Sequence, residues 1–120
     1  NQNKISVWGD GTPTRDFLYV EDAAKGIILS AENYNSSSPL NLGSNNEISI
    51  KELVETISEL MGYSGEIEWD TSKPNGQPRR CVSNTKAKAE VGFESKILIR
   101  EGLKKTISWF VENRPDKTIN

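Results

Sequence analysis

The sequence predicts a small mixed α/β fold with three main helices and several short strands. Two observations point there. Short stretches of alternating apolar and polar residues, at Ile5 and Val7 and again at 66–70, take turns with three longer stretches whose apolar residues recur at helical spacing. Glycine, proline and asparagine fall between them as punctuation. With 120 residues and a 34% apolar fraction, one domain with a thin core is expected.

The first turn follows a strand through Ile5 and Val7. It runs Trp8-Gly9-Asp10-Gly11-Thr12-Pro13 and leads to Arg15-Asp16. Gly9 and Gly11 permit backbone angles that other residues resist, and Pro13 fixes a torsion beyond them. A second short strand is expected to carry Phe17 and Tyr19. A planar guanidinium on such a pinned turn suits a diphosphate or a carboxylate, because its donors match two oxygens at once. From chemistry alone the commoner reading of such a turn is a β-turn with a surface Arg–Asp pair, since most charges are solvated.

Val20 to Asn33 reads as a helix, with Glu21 and Asp22 in its first turn, where carboxylates complement the helix dipole. Ala23, Ala24, Ile27, Ile28 and Ala31 form the expected core face. A polar loop over 33–38 precedes a short strand expected at 39–43. Ser49 and Glu52 then form a capping box for a helix with the stripe Ile50, Leu53, Val54, Ile57, Leu60 and Met61, closed by Gly62. That stripe reads as core.

Glu66 to Asp70 alternates as a strand. The run Ser72-Lys73-Pro74-Asn75-Gly76-Gln77-Pro78-Arg79-Arg80 brackets an Asn-Gly turn with two prolines. Asn-Gly alone suggests a hairpin. The prolines argue for a stiff extended loop that cannot join a sheet centrally. Such a loop holds Arg79 and Arg80 at low entropic cost, and a solvated basic loop fits the same residues. Asn84 is the expected cap of a short helix closed by Gly92. A last helix runs from about Ile99 to Asn113, with Ile99, Leu103, Ile107, Phe110 and Val111 as its apolar positions and Trp109 at one border. Pro115 marks its expected end, and 116–120 reads as a disordered tail.

Composition narrows the function classes. A net charge of −2 gives no electrostatic case for nucleic acid or an anionic membrane. The single cysteine, Cys81, excludes an internal disulfide and fits a reducing, cytoplasmic setting. With no histidine there is no Ser-His-Asp chemistry and no base of that kind to activate Cys81. No metal site is expected. The chain starts at Asn1 without a methionine and reads as a processed chain or an excised fragment. It holds neither a glycine-rich dinucleotide fingerprint after a strand nor a Tyr-x-x-x-Lys pair.

Gly9, Gly11, Arg15, Asp16, Phe17, Tyr19, Val20 and Asp22, at this spacing, resemble the segment that opens the substrate-binding part of the extended short-chain dehydrogenase/reductase family. That family contains nucleotide-sugar epimerases, dehydratases and reductases. The resemblance runs from about Lys4 to Asn113. It continues through the loop 73–80 and through Gly92-Phe93 and Gly102-Leu103 to Ile107-Ser108-Trp109-Phe110. The loop looks most like that of GDP-sugar epimerase-reductases, which reads Lys-Pro-Asp-Gly-Thr-Pro-Arg-Lys. Here Asn75 stands for the aspartate and Arg80 for the last lysine.

The resemblance implies a C-terminal substrate-binding domain over 1–115, lacking the N-terminal Rossmann part. Trp8 would contact the nucleotide sugar, Arg15 its diphosphate, and Asn75, Arg79 and Arg80 would be contributed by the second loop. The catalytic residues and the NADP or NAD site would lie in the missing part, leaving this chain without catalytic or cofactor-binding residues and inactive alone. The whole enzyme would epimerise GDP-4-keto-6-deoxymannose and reduce it with NADPH. A UDP-hexose 4-epimerase, a 4,6-dehydratase and a non-catalytic sugar-nucleotide module are the alternatives. A face left bare by the missing Rossmann part would favour a homodimer.

Overall fold

A computed structural model describes residues 3–113, so the expected tail and Pro115 lie outside the described residues. The elements are β1 (Lys4–Trp8), β2 (Thr14–Asp16), α1 (Val20–Asn33), β3 (Glu47–Ser49), α2 (Ile50–Leu60), β4 (Glu66–Asp70), β5 (Arg79–Arg80), α3 (Thr85–Val91) and α4 (Ile99–Asn113). The mixed α/β class is as expected, and so are the bounds of α1 and β4. Strands β1 and β4 pair in parallel, with Lys4 opposite Glu66 and Trp8 opposite Asp70. The second sheet has the order β3-β2-β5. In it β2 runs antiparallel to β3 and parallel to β5.

Helix α2 begins as its sequence dictates. The Ser49 hydroxyl accepts from the Glu52 backbone N–H, and the Glu52 carboxylate accepts from the Ser49 N–H. Gly62 follows its end with a left-handed φ of +64°, and Gly92 closes α3 in the same way at +69°.

Several expectations fail. Strand β2 stops at Asp16, so Phe17 and Tyr19 lie in the link to α1. Residues 39–43 form no strand, because side chains take the backbone groups at the end of that stretch. Asn84 Oδ1 accepts from the Gly43 N–H at 2.6 Å, and the Asn84 amide donates to the Gly43 carbonyl. The strand expected there is replaced by β3, a few residues later. Asn84 therefore supplies no side-chain cap to α3. The prolines do keep Arg79 and Arg80 from the centre of a sheet, but the two arginines form the edge strand β5.

The core is thin and sits to one side. Ala87, Val91 and Phe93 are buried, with Leu18, Leu29, Tyr34, Leu40 and Leu42 packed on them. Helix α1 meets this cluster through Gly26, where an added Cβ would come within 2.8 Å of Leu42 and 2.9 Å of Phe93. Its expected core face is wrong. Ala24, Ile27, Ile28 and Ala31 are exposed, and the buried residues are Asp22 and Gly26. The α2 stripe is half-buried at Leu53, Val54, Ile57 and Leu60 and exposed at Met61, so it is not full core. In α4, Phe110 and Val111 are exposed where core was expected.

The shape matches this distribution. The radius of gyration is 17.4 Å. A compact domain of this length would have about 13 Å. Parallel strands are ordinarily covered on both faces. Here Lys4, Ile5, Ser6 and Trp8 of β1 are all exposed. Among the described residues no helix is long and apolar enough to cross a membrane.

Candidate functional site

The first turn is stitched to three parts of the chain. Gly9 N–H donates to the Asp70 carbonyl at the end of β4, and Thr14 N–H donates to the Pro78 carbonyl. The carbonyls of Gly11 and Pro13 accept from Lys51 and Ile50 at the start of α2. Within the turn, Asp10 Oδ1 accepts from the Thr12 N–H and hydroxyl, at 2.9 and 2.7 Å. Those bonds, with the Asn75 side chain, hold the Asp10 carboxyl below its ordinary range.

Asn75 bridges the two loops. Its Oδ1 accepts from the Asp10 N–H at 2.8 Å. The close approach depends on Gly9, whose φ is +85° and whose added Cβ would sit 2.2 Å from Asn75 Oδ1. An aspartate could accept the same bond, but it could not donate and would set a second carboxylate beside that of Asp10, so the amide at 75 fits this turn where an acid would not. Gly9→Ala is expected to cost about 1–2 kcal/mol through backbone strain and displacement of Asn75. Chemical denaturation of the full-length variant measures it.

Trp8 lies at the end of β1 with 69% of its surface exposed. Lys73 Nζ stands 5.7 Å from its ring centroid. The indole offers a flat face at the mouth of the loop 73–80, with a cation beside it.

Arg15 is half-buried in the middle of β2, and its Nη1 donates to the Thr14 carbonyl at 2.7 Å. An added Cβ on Gly76 would meet Arg15 Nη2 at 3.9 Å, which places the guanidinium directly beside the loop backbone. Arg80 is the register partner of Arg15 across the parallel pair. Both line a cavity of about 240 Å³ with Asp16, Leu42, Gly43 and Cys81. Among the described residues neither arginine takes part in an ion pair.

Arg79 is placed differently. Successive residues of a strand point to opposite faces. Arg79 Nε donates to Glu47 Oε1 at 2.8 Å and Oε2 at 3.0 Å, and Nη2 donates to Oε2 at 2.7 Å. The Thr14 hydroxyl donates to the same carboxylate. Hydrogen bonds from Arg79 and then Thr14 hold the Glu47 carboxyl below its usual range. Five residues were expected at the site. The structure brings Trp8 and Asn75 to one end of the first turn, sets Arg15 against Arg80, and turns Arg79 to Glu47. Sequence reasoning missed Glu47. A lone glutamate 32 positions from its partner carries no signal in a single sequence.

Strand β1 enters its glycine turn and goes on to β2 rather than to a helix. Helices α1 and α2 are entered without a glycine-rich turn, at Tyr19 and Ser49. Among the described residues, neither the turn after β1 nor the entries to α1 and α2 have the strand–turn–helix geometry of a dinucleotide cradle.

Comparison with known proteins adds four findings. A family model, "NAD dependent epimerase/dehydratase family", matches residues 1–43. Probable GDP-L-fucose synthase 1 of Oryza sativa subsp. japonica is 41% identical over 113 residues, which are 94% of this chain and 34% of the relative. The crystal structure of a GDP-L-fucose synthetase from Naegleria fowleri bound to NADP superposes with a TM-score of 0.83 at 34% identity, covering 92% of this chain and 35% of that one. UDP-glucose 4-epimerase of Thermotoga maritima, with UDP-glucose, gives 0.82 at 28% identity, covering 91% and 35%. The chain spans about a third of the length of the curated relatives it matches, 34% of the rice protein.

Proposed function

We propose that the chain is the C-terminal substrate-recognition part of a GDP-L-fucose synthase-like enzyme of the NAD-dependent epimerase/dehydratase family. The observation that carries this reading is the register of Arg15 against Arg80, beside a loop whose backbone lies within reach of the guanidinium. Two guanidiniums without carboxylate partners make a strong receptor for a diphosphate. Trp8 covers the base or sugar, and Asn75, bonded to the Asp10 N–H, borders the same end of the turn. Binding energy from these contacts orients the sugar against a reacting centre supplied by the rest of the protein. In that reading NADP or NAD binds in a Rossmann part outside this chain and supplies the hydride. The epimerising and reducing residues lie there too, and the protein is cytoplasmic.

The exposed row Val20, Ala24, Ile27 and Ala31 of α1 is the surface on which the Rossmann part rests. The apolar end of α4, at Trp109, Phe110 and Val111, is a second apolar surface and the one a homodimer would use.

Calorimetric titration of the full-length protein with GDP, GDP-mannose and UDP-glucose tests the reading. Saturable binding of the guanine ligands is expected, weakened about thirtyfold in Arg15→Ala, the scale of a lost charge-assisted contact. Binding of UDP-glucose alone would move the assignment to a UDP-hexose 4-epimerase, which the likeness to the Thermotoga protein favours. Absence of any nucleotide binding would overturn the proposal.

A further inference from the structure

We propose that Arg79 is a positioning residue rather than a ligand, and that with Glu47 it forms a strut holding Arg80 beside Arg15. The proposal rests on the diphosphate reading of the Arg15–Arg80 pair given above.

Strand β5 has two residues, Arg79 and Arg80, and follows a loop that is exposed throughout. Two residues at a sheet edge cannot fix their own position. The Thr14 N–H, which donates to the Pro78 carbonyl, ties the residue just before β5 to β2. The Glu47 carboxylate adds a second tie from the far side of the sheet. It joins β3, β2 and β5 through its own backbone, the Thr14 hydroxyl and the Arg79 guanidinium. The fork-on-carboxylate geometry defines direction as well as distance. The Glu47 side chain is only 25% exposed and leaves the pair little freedom.

Alternation along the strand gives the adjacent arginines different duties. Arg79 spends its Nε and Nη2 donors on Glu47 and faces away from Arg15. Arg80 lines the cavity with Arg15. Arg79 itself is 69% exposed, so the pair adds little to global stability, and its effect is local to the loop.

A charge swap separates a strut from a ligand. In Glu47→Arg/Arg79→Glu the pair is rebuilt in reverse, and the Thr14 hydroxyl can accept where it now donates. A strut survives the reversal. A ligand does not, because it would present a carboxylate to the diphosphate. The experiment uses the full-length protein, with GDP titration and hydrogen–deuterium exchange of peptides covering 74–80.

Arg80→Gln is expected to weaken GDP about thirtyfold or more, as for a charged contact. Arg79→Gln and Glu47→Gln are expected to weaken it about three- to fivefold, with faster exchange over 74–80. The swap is expected to return both readouts to within about twofold of wild type. A swap that binds GDP more weakly than Arg79→Gln overturns the inference. So does exchange over 74–80 that Arg79→Gln leaves unchanged. If the wild type binds no GDP, the diphosphate reading fails and exchange alone decides the strut. Faster exchange in both single variants and recovery in the swap support it, and unchanged exchange overturns it.

Discussion

Asp22→Ala is expected to destabilise the protein by about 3 kcal/mol, the scale of stranding several donors at one buried carboxylate. Asp22 sits in the first turn of α1 and is 1% exposed. Its Oδ2 accepts from the backbone N–H of Lys96 at 2.9 Å, that of Ile97 at 2.8 Å and the Ser95 hydroxyl at 3.2 Å. The carboxylate thereby ties the start of α1 to the segment that enters α4. Around it, Lys105 pairs with Glu21 at 3.2 Å. Gly102 admits Tyr19 so closely that an added Cβ would sit 3.1 Å from its ring. Asp22→Asn keeps one acceptor and loses the charge, so a loss of about 1 kcal/mol is expected. Chemical denaturation of the full-length variants measures both.

The same residue gives a signed pH dependence. Burial works against its ionisation, but the N–H groups of Ile97 and Lys96 and the Ser95 hydroxyl outweigh it, and the carboxyl is held below the ordinary range. A lowered native pKa means that the unfolded chain binds more protons in acid. The stabilisation is therefore complete above the unfolded value of about 3.9, and it is lost as pH falls through the lower native value. Glu47 and Glu52 are lowered too, by Arg79 and by the Ser49 N–H, and add in the same direction. Denaturation below pH 4 is expected to show a shallower loss in Asp22→Asn than in the wild type. An identical slope in both would count against the account.

Asp22 marks a limit of reading the sequence. Its place in the first turn suggested a partner for the helix dipole, and the apolar residues of α1 suggested the core face. Helix α1 carries apolar residues on more than one side, and periodicity alone does not say which side this chain covers. Gly26 lies inward because Leu42 and Phe93 approach it, residues remote in sequence. By contrast, the Ser49–Glu52 capping box and the Gly62 and Gly92 stops were legible, since each depends on neighbours within four residues. The site divides in the same way. The glycine turn, Arg15 and the proline-bounded loop were visible as local chemistry. The Arg15–Arg80 register and the diversion of Arg79 to Glu47 were not, because both are set by strand pairing between distant segments.

Asn84→Ala carries the other large effect, also about 3 kcal/mol, because it strands a buried N–H and a buried carbonyl together. Asn84 is 3% exposed and makes both bonds to Gly43. Gly43 cannot move aside easily, since an added Cβ there would sit 2.4 Å from both Asp16 and Val82. The next residue, Ser44, donates its N–H to Asp16 Oδ1 at 2.9 Å. One polar chain thus runs from α3 through Gly43 and Ser44 to β2, one residue from Arg15. Asn84→Asp is the sharper test. It retains the acceptor for the Gly43 N–H but sets a carboxyl oxygen against the Gly43 carbonyl, close to the Asp16 carboxylate. Only a protonated carboxyl can donate there, so its native pKa is pushed up. The native state then binds more protons than the unfolded chain, and stability falls as pH rises through the unfolded value of about 3.9 toward the higher native one. The variant is expected to regain stability relative to wild type on going from pH 7 to pH 4, a sign opposite to that of Asp22. Denaturation midpoints at the two pH values measure it, and a deficit that stays constant would mean that the Asn84 amide does not donate to Gly43.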